Sequence, residues 1–273
     1  SAPEGLKGVQ IAFSFPSVGA TENVLLAACC AGGTTTITNA AREPEICDLA
    51  DFLNCCGAKI SGAGDSTIVI EGVKSLHGCE HEVIPDRIAA ATYLAATAAT
   101  GGSIILNHVV PEHLAPVLPL FEESGCRFAI HEKEIYMSAP SRLGRIKNVR
   151  TMPYPGFPTD AQAPMMAMAA VANGTSIFVE NIFESRYKHV GELLRLGANI
   201  KVEGRVAVVE GVGRLSGAPV EAADLRGGAA LVVAGLAAQG ETLVSGVRHI
   251  DRGYECLEEN LCLLGAQVKR LPD

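Results

Sequence analysis

A fourfold recurrence constrains this chain more than any other feature. The segments Gly57-Ala58-Lys59, Gly125-Cys126-Arg127, Gly197-Ala198-Asn199 and Gly265-Ala266-Gln267 recur at spacings of 68, 72 and 68 residues. A period of that length means that one supersecondary unit is used repeatedly and buries its apolar face against its neighbours. Each segment closes a helical pattern: ICDLADFLNCCGA, HLAPVLPLFEESGC, YKHVGELLRLGA and YECLEENLCLLGA. Glycine is the residue that most readily ends a helix in a left-handed turn. A second landmark keeps step with the first. Gly33, Gly102, Gly174 and Gly240 each precede a β-like run (TTTIT, SIIL, TSIFVE, ETLVSG). A carboxylate follows each of these glycines at +10, +10, +10 and +11: Glu43, Glu112, Glu184 and Asp251. Before each glycine lies an alanine-rich helical stretch: TENVLLAACCA, RIAAATYLAATAAT, AQAPMMAMAAVAN and RGGAALVVAGLAAQ. One unit therefore reads strand, helix, strand, helix, strand, strand. The closing pair alternates as strands do in AKISG/STIVIEG and ANIKVEG/VAVVEG. The alanine-rich helices are thin and suit close packing inside a ring of sheets.

The opening residues, Pro3-Glu4-Gly5-Leu6-Lys7-Gly8, resemble the segments that end the units, Leu76-His77-Gly78, Leu143-Gly144 and Leu215-Ser216-Gly217. The chain thus reads as starting at the tail of an earlier unit, and Ser1 in place of Met agrees. We expect sequence upstream.

Composition narrows the class. A hydrophobic content of 48% is that of a folded core, not a disordered tail. The charge of −8, from 22 Lys and Arg against 30 Asp and Glu, argues against a general nucleic-acid binder. No apolar run reaches membrane-spanning length and no secretory signal is visible. Nine cysteines include the vicinal pairs Cys29-Cys30 and Cys55-Cys56 and no CxxC. The expectation is reduced, buried thiols in a cytoplasmic protein, with no metal site and no cofactor.

The chemistry gathers where helices begin. The first helix of each unit opens on Ser17-Val18-Gly19, Asp86-Arg87, Thr159-Asp160 or Asp224-Leu225-Arg226. Helix N-termini present free N–H groups and partial positive charge, a ready anion site. Ser17, Asp86, Thr159 and Asp224 are all good N-caps, and capping alone accounts for most such residues. Arg87 and Arg226 fit that bland reading less well, because a cation in the first turn opposes the macrodipole. The second helices are read as starting at Asn39–Glu45 (with Arg42, Glu43 and Pro44), at Asn181–Arg186, and at Arg248–Tyr254. For Glu45 and Asp251 the bland reading is matching of the helix dipole; His249 alone carries little weight. Arginines 186, 248 and 252 again place cations near helix starts. Together they suggest an acidic substrate bearing carboxylate or phosphate groups.

At this point the segments PSVGATENVLLAA, NAAREPEI, PDRI, FPTDAQAP, ENIFESR, ADLRGGAALVVAGL and HIDRGYE resemble the bacterial enolpyruvyl transferases, in order and over essentially the whole chain. The resemblance implies an α/β fold, an inside-out α/β barrel of the EPSP synthase-like kind. It is built from βαβαββ repeats, four of six being present. Residues 1–84 would be the last repeat of a first domain, and 85–273 a second domain of three repeats, with the active site between the two domains. The implied reaction moves the enolpyruvyl group of phosphoenolpyruvate to the 3-hydroxyl of UDP-N-acetylglucosamine, by addition and then elimination of phosphate. This is the first committed step of peptidoglycan synthesis.

The resemblance also assigns roles. Ser17, Val18 and Gly19 match a diphosphate-binding turn. Asp160, beside Thr159, matches a carboxylate that contacts the sugar 3-hydroxyl and serves as general base. Ile182, followed by Phe183, matches a backbone contact to the sugar nucleotide. Arg226 and Arg252 match arginines that hold phosphoenolpyruvate, with Asp224 close by to orient or shuttle protons. Glu43, Arg87 and Arg186 match polar residues lining the cleft. Phe15 stands where some members have a lysine. The family's general-acid loop, a Lys-Asn pair and a further arginine match nothing in these residues, so the chain alone is expected to lack turnover. Two other readings remain open: a non-catalytic sugar-nucleotide-binding scaffold, and a transferase acting on 3-phosphoshikimate.

Overall fold

The computed structural model describes residues 5–271 and divides into two compact units. The first comprises residues up to Ile84 with Pro153–Pro155; the second comprises Pro85–Met152 and the residues from Gly156 onward. Pro3 and Glu4 of the opening motif lie outside the described residues. Among the described residues no helix is long and apolar enough to cross a membrane.

The first unit runs β1 (Gln10–Ala12), α1 (Val18–Ala28), β2 (Thr34–Thr38), α2 (Pro44–Cys55), β3 (Lys59–Ser61) and β4 (Thr67–Glu71). Its sheet has the order β1-β2-β4-β3. β1 and β2 are parallel, joined across α1, and the other pairs are antiparallel. The TTTIT run buries Thr35 and Ile37 on one face, opposite Ile68 and Ile70 of TIVIE. Leu25, Ile46 and Leu53 from the two helices complete this core.

The second unit begins with α3 (Arg87–Thr100), β5 (Ser103–Asn107), a 3-10 turn (Pro111–Leu114), α4 (Leu118–Glu123), β6 (Arg127–His131) and β7 (Glu134–Ser138). It continues through β8 (Asn148–Arg150), α5 (Thr159–Ala169), β9 (Thr175–Val179), α6 (Val190–Arg195), β10 (Asn199–Glu203) and β11 (Val206–Glu210). It ends with β12 (Leu215–Ser216), β13 (Pro219–Glu221), α7 (Leu225–Ala237), β14 (Ala238–Gln239), β15 (Leu243–Ser245), a 3-10 turn (Val247–His249) and α8 (Leu257–Leu263). The sheet β8-β9-β11-β10 repeats the order and the parallel-then-antiparallel pairing of the first unit's sheet. A shorter sheet, β5-β7-β6, lacks the parallel strand, and β13 pairs β15 in parallel without closing strands. Among the described residues these sheets are separate, and none closes on itself.

The alanine-rich helices α3, α5 and α7 pack on one another in pairs at the middle of this unit. Small side chains let them approach, and α5 is buried on every side from Ala161 to Ala169. A helix apolar all round belongs in a core. Phe121, Phe178, Leu94, Ile135 and Met137 fill the space between helices and sheets.

The landmark glycines end helices as expected: Gly57, Gly125, Gly197 and Gly265 have φ of 95°, 99°, 90° and 93°. In the second unit's first repeat the left-handed residue before the strand is Gly101, at φ 73°, rather than Gly102. Gly72 and Gly211 hold corresponding places, each just past the strand that pairs with β2 or β9. A Cβ on either would lie 1.6 or 1.7 Å from the carbonyl oxygen of Ala31 or Ala172.

Several helix starts differ from the sequence reading. Residues 181–186 form a loop, and α6 begins only at Val190. The turns around Arg248 and Arg252 are 3-10 and irregular, and α8 begins at Leu257. In both places side-chain and turn hydrogen bonds hold the backbone instead of a helical ladder. Asp251 matches no helix dipole, because its carboxylate binds Arg270 at 2.7 and 3.0 Å. The thiols are all free, but only Cys29, Cys56 and Cys126 are buried. In each vicinal pair, successive helical positions turn one thiol inward and the other outward.

Candidate functional site

In the second unit one carboxylate collects two arginines from distant parts of the chain. Asp160 lies in the first turn of α5 and is half-buried. Its Oδ2 accepts from Arg226 Nη2 at 3.0 Å, and its Oδ1 accepts from Arg186 Nη2. Arg226 comes from the first turn of α7, Arg186 from the loop before α6. A cation in a first helical turn is unfavourable alone, and here the carboxylate at the neighbouring helix start offsets it. Burial opposes the charge on Arg226, but Asp160 and Tyr254 hold its guanidinium above its ordinary value. Tyr254 takes a hydrogen bond from Arg226 Nη1 at 3.3 Å and lies 2.9 Å from the hydroxyl of Thr92 on α3. The heads of α5 and α7 thus meet at Asp160, and Tyr254 links Arg226 to Thr92 on α3.

Two features flank this carboxylate. Pro164 inside α5 has no N–H for the main-chain carbonyl of Asp160, so the regular i→i−4 bond to that oxygen is missing. Beside it, Glu180 is wholly buried at the end of β9. It accepts from the hydroxyls of Thr151 and Thr159 at 2.9 Å each. It also accepts from the N–H groups of Ile182 at 2.8 Å and Phe183 at 3.0 Å. Glu180 therefore shapes the loop that delivers Arg186, whose guanidinium lies 5.1 Å over the Phe183 ring. Burial, then the Glu180 charge, pushes the Tyr187 phenol up to about 12.

Thr159 is not the cap of α5. Pro158 holds the cap position, and the Thr159 hydroxyl goes to Glu180. The N–H of Ile182 is likewise taken by Glu180, leaving its carbonyl for any backbone contact. Asp224 caps α7, accepting from Gly227 N–H at 2.7 Å. Asp86 caps α3, and Arg87 is buried in that helix's first turn. Arg252 is exposed and joins no side-chain hydrogen bond or ion pair among the described residues, so the structure does not bring it into the Asp160 cluster. In the first unit, Ser17 caps α1 through Ala20 N–H at 3.3 Å, and Val18 and Gly19 form its first turn. A Cβ on Gly19 would meet nothing within 4 Å. Glu43 precedes Pro44 at the head of α2 and accepts from the N–H of Arg42 at 3.0 Å and of Tyr154 at 3.3 Å.

Sequence reading missed four contributors. Glu180 was visible only as the last letter of a strand, and Thr92 only inside an alanine-rich helix. Gln162 is fully buried on α5 with both amide atoms unpartnered. His189 caps α6 from a buried position; burial pushes its imidazole down to about 4, against the pull of Asp224 and aided by the Arg186 charge. Its Nε2 has no partner.

A family model described as EPSP synthase (3-phosphoshikimate 1-carboxyvinyltransferase) matches residues 2–261. The chain belongs to the EPSP synthase family. Within that family it is 54% identical, over 99% of its length, to UDP-N-acetylglucosamine 1-carboxyvinyltransferase 1 of Symbiobacterium thermophilum, covering 61% of that relative. It is 52% identical, over 97% of its length, to UDP-N-acetylglucosamine 1-carboxyvinyltransferase 2 of Caldanaerobacter subterraneus subsp. tengcongensis, covering 64% of it. The chain thus spans a little under two thirds of the curated relatives it matches. Among solved structures it resembles the enolpyruvyl transferase NikO from Streptomyces tendae, with TM-score 0.87, 28% identity, and coverage of 97% of this chain and 66% of that one. The EPSP synthase fold accounts for the mixed sheets and the central helices seen here.

Proposed function

We propose that this chain carries the acceptor-side machinery of a UDP-N-acetylglucosamine enolpyruvyl transferase. The observation that carries the reading is the Asp160 carboxylate held between Arg186 and Arg226, where the heads of α5 and α7 meet. A scaffold has no use for a carboxylate set among arginines. Its two substrates, phosphoenolpyruvate and the UDP-sugar, are both anionic. In this reading an incoming phosphate or carboxylate engages Arg226, with Arg252 closing from its exposed turn, and frees Asp160. Asp160 then accepts the proton of the sugar 3-hydroxyl. The hydroxyl oxygen bonds to C2 of phosphoenolpyruvate while C3 takes a proton; phosphate then leaves as C3 gives one up. Asp224 orients the arginine side of the site. The free head of α1 at Ser17, Val18 and Gly19 takes the diphosphate. Glu43, Arg87, Ile182 and Phe183 line the substrate.

In the same reading the first unit, residues 1–84, is the last repeat of one domain and residues 85–273 are a second domain of three repeats. Four of six βαβαββ units are then present in an inside-out barrel arrangement. The setting is cytoplasmic peptidoglycan synthesis, with no nucleic acid and no membrane as partner. The general acid is supplied from outside these residues, so the 273-residue chain binds without turning over.

The alternative acceptor, 3-phosphoshikimate, has the family description in its favour. Calorimetry on the purified chain separates the two. Heat is expected with UDP-N-acetylglucosamine and none with 3-phosphoshikimate, and the reverse outcome overturns the reading. Asp160→Asn is expected to weaken the UDP-sugar about tenfold through loss of one charge-assisted hydrogen bond. Phosphate release from the two substrates by the chain alone would contradict the division of labour.

A further inference from the structure

Away from the Asp160 cluster, three thiols of the first unit come together. α2 ends in Cys55 and Cys56, and the segment after β4 turns back along that helix end. The turn is held by main-chain and side-chain bonds. His77 N–H donates to the carbonyl of Cys56 at 2.9 Å. His81 Nε2 lies 2.9 Å from Asp48 Oδ1, and the His81 ring packs edge-on against Phe52 at 5.6 Å. Cys79 sits between these anchors. Its Sγ is 3.4 Å from the Sγ of Cys56 and 3.8 Å from the carbonyl of Phe52. Cys55 turns outward, its Sγ 3.6 Å from the carbonyl of Glu80.

We propose that Cys56 and Cys79 are a disulfide-forming pair, a thiol-modification site whose co-reactant is a low-molecular-weight disulfide. At 3.4 Å the two sulfurs stand within about 1.5 Å of bonding distance, held there by the His77 main-chain bond and the His81 side-chain anchors. The chemistry is ordinary exchange. A thiolate of the cluster attacks the external disulfide, releasing one small thiol and leaving a mixed disulfide. The second thiolate displaces the remaining small thiol as the Cys56–Cys79 bond forms. In total, two protein thiols are oxidised, one external disulfide is reduced to two thiols, and the protons stay with the released thiols. The hydrogen bond that the Cys79 S–H donates to Cys55, then burial, hold the Cys79 thiol up to about 12, which makes it slow to attack first. Exposed Cys55 adds a second route: Cys79 displaces the small thiol from a Cys55 adduct to give Cys55–Cys79, and Cys56 then attacks the Cys79 sulfur, forming Cys56–Cys79 and returning Cys55 to the thiol. The bond closes the loop from Cys56 to Cys79 and staples the segment after β4 to α2.

The test is equilibration of the folded chain with oxidised and reduced glutathione, then acid quenching and tryptic mapping without reduction. The expected product joins the peptide 43–59 to the peptide 75–87, with two fewer titratable thiols than the nine of the reduced chain. Cys55→Ser is expected to keep the link, whereas Cys56→Ser and Cys79→Ser each lose it while retaining the native circular-dichroism spectrum. Nine free thiols at oxidising glutathione ratios would overturn the proposal. A link that survives in Cys56→Ser would also overturn it. If repeating the oxidation in denaturant gives the same single pairing, the folded geometry is not its cause and the proposal fails.

Discussion

Glu180 shows how much rests on one residue beside the Asp160 cluster. Four donors converge on its buried carboxylate. Removing the acceptor leaves two hydroxyls and two N–H groups without it. Glu180→Ala should lower stability by about 3 kcal/mol or more, read as a drop in the urea midpoint. His189 makes a prediction in pH. Its imidazole titrates near 6.5 in an unfolded chain and about 4 when folded, because burial disfavours the cation. The unfolded state therefore binds the extra proton in that window. The stability contributed by the neutral ring is complete above pH 6.5 and is lost as pH falls toward 4, by at most roughly 3 kcal/mol. Denaturation curves at several pH values should show a flatter dependence for His189→Gln than for the parent. Equal slopes would remove His189 as the source. Neither residue was legible in the sequence as a contributor: Glu180 is recognised by its donors, the farthest 29 residues away, and His189 by the burial that the fold imposes on it.

The elements themselves were far more legible. Alanine-rich stretches with a polar opening and a closing glycine located α1, α3, α5 and α7, and alternation located most strands. Reading failed where tertiary bonds replace a local ladder. Asn181–Arg186 looked like a helix start, yet Glu180 takes the N–H groups of Ile182 and Phe183 and holds a loop. The turn at Arg252 was misread for the same reason, its neighbour Asp251 being bound to Arg270. The repeat also predicts which glycines are irreplaceable at element junctions. Gly211 has no positive φ, so conformational freedom is not its reason; a Cβ there would collide with a backbone oxygen that cannot rotate away. Gly211→Ala should cost the upper end of the roughly 1–3 kcal/mol typical of overpacking. Gly213→Ala, with open space around it, should cost little. Equal midpoints for the two variants in chemical denaturation would refute the close-approach account.

For the whole molecule, the two units have separate apolar cores, one built on Leu25, Ile37 and Ile70, the other on Leu94, Phe121 and Phe178. A polypeptide starting at Pro85 retains the second core entire. It should fold on its own and unfold in one cooperative transition by circular dichroism; a broad, non-cooperative melt would count against that independence. The sequence period announced the repeated architecture, whereas the cluster at Asp160 needed the fold, since Asp160 and Arg226 are 66 residues apart. The pairing of that carboxylate with two guanidinium groups has a further consequence. In the proposed reading the site holds its own resident counter-ion, so an anion that enters would do so by ion exchange, not by filling a bare positive hollow. Small ambient anions must outcompete a tethered carboxylate at high effective concentration, and most will fail. On that reading, selectivity for a multiply charged ligand would be built into the resting protein.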